Sequence, residues 1–317
     1  MGYPKEVYDI VKDRYESRRF EAKNRLEMHK REVYAKIPRI REIESQMANL
    51  GLAVLSGAFE GKEKKSITPE EARIKAQSLT DEKKELLVSN GYSEDYLSMV
   101  YSCKICNDTG LTMSGYCDCF KEQLTKEAFK MANLPMMSDT QTFDNFVVEN
   151  YPEEYQEDMQ AVLEHCIAFA DEFEAHSGEN LYMYGSPGLG KTMLSGCIAK
   201  KVIDKGYSVF YQPAYKIFRI FEDYKFNQDN KQLNKAHIDR IMNTDLLIID
   251  DLGAEMTTSF TAEVLFDLVN TRINSKQATI ISTNLDFPEL ETIYSERISS
   301  RILGSYTLLE FNGDDLR

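Results

Sequence analysis

The stretch Leu181–Thr192, LYMYGSPGLGKT, constrains this chain more than any other. An apolar run fit for a strand leads into Gly185-x4-Gly190-Lys191-Thr192, and a helix is expected to begin near Met193. Glycines in such a loop let backbone N–H groups converge on phosphate oxygens with no side chain between them. The helix that follows adds the partial positive charge of its N-terminus. Gly185, Ser186, Pro187, Gly188, Leu189, Gly190, Lys191 and Thr192 are therefore the expected phosphate cradle. Lys191 is expected to reach the β- and γ-phosphates of ATP, and the Thr192 hydroxyl to complete a Mg2+ shell.

A cradle of this kind sits at the end of a parallel strand, and the surrounding sequence has the matching rhythm. Leu181–Tyr184, Ser208–Tyr211, Leu246–Ile249 and Ala278–Ser282 are short apolar runs separated by longer helical stretches, which predicts an α/β unit with a parallel sheet between helices. In LLIIDDL, residues 246–252, two carboxylates leave the C-terminal end of a buried strand, where open α/β sheets bind ligands. Asp250 is expected to partner the magnesium, and Asp251 to orient or deprotonate the attacking water. Asn284 closes the run at 278–283; a neutral amide there can hold the water or the γ-phosphate, although an Asn after a strand is also an ordinary turn former.

The first third of the chain is built differently. Met1–Lys65 has 15 Lys/Arg against 11 Asp/Glu, a surplus of four within a chain of net charge −14, so the remainder carries −18. The overall negative charge argues against a protein that coats duplex DNA, and the asymmetry predicts an N-terminal segment with its own partner. Val7, Tyr8, Val11 and Tyr15, then Leu26, Val33, Ile37, Ile40, Ile43 and Met47, recur at helical spacing, with a break expected near Pro38. These helices either cover their own core or present a docking surface. Gly57–Ser66 reads as a loop, Thr68-Pro69-Glu70-Glu71 as a capped helix start, and Lys121 to about Asn133 as a further helix before a linker over 134–145. Two domains follow, 1–133 and 134–317. No run approaches the ~18–20 apolar residues of a membrane span, and the charged N-terminus lacks a signal-peptide core, so a cytoplasmic protein without membrane contact is expected.

In that compartment the six cysteines are read as thiols or metal ligands. Cys103-x2-Cys106-x10-Cys117-x-Cys119 offers four sulfurs in two close pairs, suited to a tetrahedral Zn2+ site of structural type, with redox or unliganded thiols as alternatives. Cys166 and Cys197 lie in apolar stretches and read as core residues. Between the second and third strands, Tyr215, Lys216, Phe218, Arg219, Tyr224, Lys225 and Phe226, then Lys231, Lys235 and Arg240, interleave aromatic and basic side chains. That pattern suits single-stranded DNA, and equally an amphipathic helix with its aromatics in the core.

GSPGLGKT, LLIIDDLG, ISTNL and the late ERISSRI together resemble the AAA+ ATPases of the DnaC/DnaI type, bacterial loaders of the replicative DNA helicase and relatives of the IstB-type transposition helpers. The resemblance is strong over 143–317 and looser over 1–120. It implies an AAA+ three-layer domain behind a smaller helical, zinc-binding domain that grips the helicase, as in the DnaI-like loaders. It implies sensor-1 for Asn284, an arginine finger for Arg301 and a C-terminal nucleotide sensor for Arg317, with single-stranded DNA as a second partner and self-association through the ATPase domain when ATP is bound. Arg297 and Arg301, four residues apart, also fit a surface pair bridging acidic neighbours. Asp-Asp replaces the commoner Asp-Glu after the strand, which predicts slow, switch-like hydrolysis. A transposition helper and a nucleotide-binding adaptor with negligible hydrolysis are the competing readings.

Overall fold

Pro38 lacks an amide hydrogen, so it cannot continue a helix but can open one. In the computed structural model, which describes residues 3–59, 69–132, 134, 142–227 and 231–316, α1 (Lys5–Lys36) stops just before it and α2 (Pro38–Phe59) starts on it. A third helix, α3 (Pro69–Ser89), opens on Pro69. The cap expected from Thr68 lies outside the described residues, as do 60–66 of the expected loop; 57–59 belong instead to α2. The chain divides into two compact units, Lys12–Cys119 and Met1–Val11 with Phe120–Arg317.

Within Lys12–Cys119, Val33, Ile37 and Ile40 bury against Leu87 and Leu97, and Ile43 and Leu50 against Leu79. The part of the helical stripe from Leu26 to Met47 thus covers a core of its own. A polar clamp ties the three helices: the Glu44 carboxylate accepts the Tyr34 hydroxyl and pairs with Lys83 at 2.6 Å. A two-stranded hairpin, β1 (Leu111–Thr112) and β2 (Gly115–Tyr116), separates the cysteine pairs. The helix α4 (Asp118–Met131) begins three residues before Lys121, where the sequence places it, so that Cys119 falls in its first turn.

The other unit is a five-stranded parallel sheet, ordered β4-β5-β6-β3-β7. Its strands are β3 (Leu181–Gly185), β4 (Val209–Pro213), β5 (Leu246–Leu252), β6 (Ala278–Thr283) and β7 (Thr307–Phe311). The first four match the expected runs; β7, with its mixed exposure, is new. Buried on both faces, these strands read as apolar runs without alternation. Tyr182, Phe210, Leu247, Ile249 and Ile281 point into one core with residues of α7 (Ala214–Phe226), α8 (Lys231–Asn243), α9 (Ser259–Asn274), α10 (Phe287–Tyr294) and α11 (Glu296–Ser305). The period of two turns Leu181, Met183, Ile248 and Ile280 the other way. That second face carries α6 (Lys191–Asp204), whose Ser195 hydroxyl meets the Met183 sulfur at 3.4 Å, and α5 (Gln156–Glu172) packs on α6. Helix, sheet and helix make three layers. Among the described residues no helix is long and apolar enough to cross a membrane.

One fully buried cation holds the end of this sheet opposite the glycine loop at 185–190. The Arg272 guanidinium donates to the Thr279 hydroxyl (2.9 Å) and to the carbonyls of Ile241 (3.1 Å), Thr244 (3.1 Å) and Ala278 (2.7 Å). Burial lowers its pKa to about 10, still high enough to stay charged at neutral pH. Arg272→Ala would leave those carbonyls without their donor, at roughly 1–3 kcal/mol for each buried orphan. We expect a loss of about 4 kcal/mol, read as a lower urea midpoint for this unit, with Arg272→Lys recovering only part because one ammonium cannot reach four acceptors. A shift worth less than ~1 kcal/mol would mean that water takes over the role.

Candidate functional site

The C-terminal ends of β3, β5 and β6 converge, and most of the residues singled out in the sequence converge with them. Gly185 ends β3 at φ 135, with its Cα so close to the Phe311 carbonyl of β7 that no Cβ would fit. Gly190, at φ 84, hands the loop over to α6; a Cβ there would lie 2.7 Å from the Phe146 ring. The helix therefore starts at Lys191, two residues earlier than expected. Lys191 is 93% buried by its 7% exposure, and its ammonium is drawn back into the loop, donating to the carbonyls of Gly185 (2.5 Å) and Ser186 (2.7 Å).

Asp250 and Asp251 are separated by a fault in the sheet. Pairing of β5 with β6 shifts register between Ile249 and Leu252, and Asp251 takes φ 56, so successive side chains no longer simply alternate. Asp250 turns inward among hydroxyls: Thr192 donates to Oδ1 (3.2 Å), Tyr211 to Oδ2 (2.6 Å), and Ser282 also to Oδ1. Burial, then the Asp250 charge, pushes the Tyr211 phenol far above its ordinary pKa, so it remains a donor. Asp251 stays exposed; its N–H donates to the Ser282 hydroxyl at 3.0 Å, and Asn284 Nδ2 reaches its Oδ1 at 3.4 Å. The structure thus brings Lys191, Thr192, Asp250, Asp251 and Asn284 together. Thr192 and Asp250 offer a hydroxyl and a carboxylate side by side, hard oxygen donors suited to Mg2+.

Arg301 is not among them. It lies exposed on α11, and among the described residues neither it nor Arg297 forms a side-chain hydrogen bond or an ion pair. The bridging of acidic neighbours allowed by their spacing is therefore absent from the described residues. Arg317 lies outside the described residues. On α7, Tyr215, Lys216, Arg219, Lys225 and Phe226 are exposed, whereas Phe218 is core. Arg240 departs from the expected basic surface: it donates to the Met131 carbonyl at 2.5 Å and stacks over Phe210.

Several residues of the site carried no recognisable pattern. Tyr211 and Ser282 close the Asp250 cage, and the signal was one polar atom in each of two apolar runs. The segment read as linker continues into short turns at Phe143–Asn145 and Val148–Asn150 that underpin the loop: Tyr151 donates to the Leu189 carbonyl at 2.8 Å, beside Phe146.

In the other unit the four sulfurs of Cys103, Cys106, Cys117 and Cys119 lie within 4.8 Å of one another, with Cys103–Cys117 at 3.9 Å and Cys106–Cys119 at 3.6 Å. A tetrahedron of Zn–S bonds sets sulfurs roughly 3.8 Å apart, so an all-thiol donor set of this size fits Zn2+. Backbone N–H groups of Cys106 and Ile105 aimed at the Cys103 sulfur lower its pKa to about 7, while burial raises that of Cys119 to about 12. Asp108, buried, accepts the N–H groups of Ser102 (2.7 Å) and Cys103 (2.8 Å) and braces the first pair. The tight Cys-x-Cys spacing works because Cys119 belongs to a helical turn and Cys117 to the end of the hairpin.

Residues 121–315 match the family of IstB-like ATP binding proteins over more than half of the chain. The chain belongs to that family. This IstB-like protein is similar to the replicative helicase loader DnaC of Buchnera aphidicola (subsp. Baizongia pistaciae), with 28% identity over 174 residues, 55% of this chain and 70% of that protein. It is also similar to the replicative helicase loader DnaI of Bacillus subtilis, with 27% identity over 173 residues, 50% of this chain and 54% of that protein. A crystal structure of the DnaC helicase loader aligns at 25% identity and a TM-score of 0.45, covering 54% of this chain and 98% of that one. The four-thiol unit lies upstream of the residues that the family covers.

The loop of this IstB-like protein depends on the absence of a side chain at 190. Gly190→Ala combines a left-handed φ with a collision against Phe146, and is expected to destabilise the unit by about 2–3 kcal/mol, read by thermal unfolding. Adding Phe146→Leu should restore part of that loss; strictly additive losses would show that the ring is not the obstacle.

Proposed function

We propose that this protein is an ATP-dependent loader of the replicative DNA helicase, which switches on ATP–Mg bound at Gly185–Thr192 and meets the helicase through its N-terminal domain. The observation that carries the reading is the overlap of two things in one stretch: the cradle with its Asp250 cage, and the similarity to proteins named helicase loaders. Domain boundaries at 133 and 134 remain the functional division we propose, with nucleotide chemistry after it.

In this reading the loop amides and Lys191 hold the phosphates, and Lys191 exchanges the Gly185 and Ser186 carbonyls for phosphate oxygens. Thr192 and Asp250 hold the magnesium, which neutralises phosphate charge when bound. Asp251 and Asn284 position water. Asp251 is short and exposed, and Asn284 draws on one of its oxygens, which supports slow hydrolysis. Arg301, exposed and without a partner among the described residues, serves the loop of a neighbouring copy, and Arg317 senses the nucleotide from the C-terminal side. Lys216, Arg219 and Lys225, beside the exposed Tyr215 and Phe226, support contact with single-stranded DNA. Membership of the IstB-like family leaves the second reading in play, a transposition helper ATPase.

The nucleotide assignment is tested on Lys191→Ala and Asp250→Ala. Both are expected to lose ATP turnover, and Lys191→Ala to bind a fluorescent ATP analogue at least tenfold more weakly; normal binding by Lys191→Ala would overturn the cradle. The client is tested on the full chain. Purified protein should contain about one zinc per chain and capture the replicative helicase. Cys103→Ser with Cys106→Ser should lose both while retaining ATP binding. Capture of a transposase in place of the helicase would favour the second reading, and a metal-free protein that still captured helicase would remove zinc from it.

A further inference from the structure

The turn after β5 carries a carboxylate with no place in the scheme above. Glu255, half-buried and four residues beyond Asp251, accepts the Gly253 N–H on Oε2 at 3.1 Å, and its Oε1 accepts the Tyr294 hydroxyl. Tyr294 is the last residue of α10, only 3% exposed, with its ring in the same core as Leu252, Ile298 and Ile302. The next residue, Ser295, is held at φ 131, a conformation that side-chain-bearing residues rarely adopt. From that strained joint α11 departs, carrying Arg297 and Arg301 on its exposed side. Hydrogen bonds and the short backbone between them therefore connect the Asp250 cage to the joint: Ser282 holds Asp250 and the Asp251 N–H, the Ala254 N–H meets the Asp251 carbonyl at 3.4 Å, and Glu255 spans Gly253 and Tyr294.

A stability role explains this poorly. The Tyr294 ring is buried whatever its hydroxyl does, and the Glu255 carboxyl sits where burial disfavours its ionised form by more than the N–H groups of Glu255 and Gly253 restore, with the charge of Asp251 adding to the cost. Unfavourable placement of a charge beside a reactive turn is a feature of functional sites. We infer that the Glu255–Tyr294 pair is a latch that fixes the arginine helix relative to the Asp250–Asp251 turn, making both residues positioning residues for hydrolysis. The nucleotide-facing turn and the Ser295 joint move together while the latch is closed, and Arg301 is presented to its target only then. This rests on the reading that Arg301 acts on a neighbouring copy.

Tyr294→Phe in the full chain deletes the hydroxyl and keeps the ring. With the latch open, kcat for ATP should fall on the order of tenfold while KM stays within about twofold, a split that general loosening of the fold would not give. In an Arg301→Ala background the same substitution should cost nothing further, because both remove one function. Glu255→Ala, made in a half-exposed turn, should reproduce the kcat loss, and normal turnover there would overturn the latch even if Tyr294→Phe folded badly. Losses that multiply with Arg301→Ala would overturn it too, leaving the arginine reading intact. Full turnover by Arg301→Ala alone would overturn that underlying reading, and the latch with it.

Discussion

Everything at the reactive edge of this protein depends on one slip of register between two parallel strands. In an unbroken strand, consecutive side chains face opposite sides of a sheet, and one of two adjacent carboxylates would point into a core. The shift between Ile249 and Leu252, with Asp251 at φ 56, keeps the strand paired and yet frees both groups for the site. Asp250 enters a cage of three hydroxyls and Asp251 reaches solvent next to Asn284. The slip also leaves the Asp251 N–H without its ladder partner, and the Ser282 hydroxyl takes it.

Ser282 thereby links the Asp250 carboxylate to the Asp251 backbone, since it donates to the one and accepts from the other. Tyr211 holds Asp250 from the opposite side, on β4, so that the carboxylate is fixed from both neighbouring strands. A carboxylate this well satisfied gains little from a further ligand unless that ligand brings charge, which is what a divalent cation does.

The legible part of this architecture was the local part. The cradle and the strand with its two carboxylates each announce themselves within a few residues, because glycine, lysine and carboxylate at those spacings suit phosphate chemistry, whereas Asn284, an ordinary turn former by itself, stands out only through the family resemblance. Their convergence was legible too, as strand ends in a parallel sheet share an edge. Tyr211, Ser282, Tyr151, Asp108 and Arg272 were not. Each is an ordinary residue until a partner 5 to 39 positions away is brought to it by sheet register or loop path, and no period in the sequence encodes that pairing. The strand at Thr307–Phe311 was missed for a related reason: it is an edge strand with mixed exposure, so it lacks the apolar run of its neighbours. Arg240 shows the converse error, a basic residue whose sequence neighbourhood suggests a surface but whose guanidinium is used within the fold.

Asp251 and Ser295 bear strain that glycine would relieve, and both carry side chains; His176 and Lys276 share the positive φ in this unit but lie away from the strand ends that form the site. Strain of that kind persists only where surrounding contacts over-determine the backbone. At Asp251 the contacts are the Ser282 hydroxyl and the paired strand on either side of the slip. At Ser295 they are two helices whose buried residues, Leu290, Tyr294, Ile298 and Ile302, share one core. Replacing either residue by glycine would ease the backbone and also remove what makes the joint take a single position. In the proposed reading of Arg301, a rigid joint presents the arginine at a set angle; a relaxed one would leave α11 free to sample many. The core that holds the Ser295 joint also contains Leu252, the last residue of the strand that carries Asp251, so the two joints rest on one packed cluster.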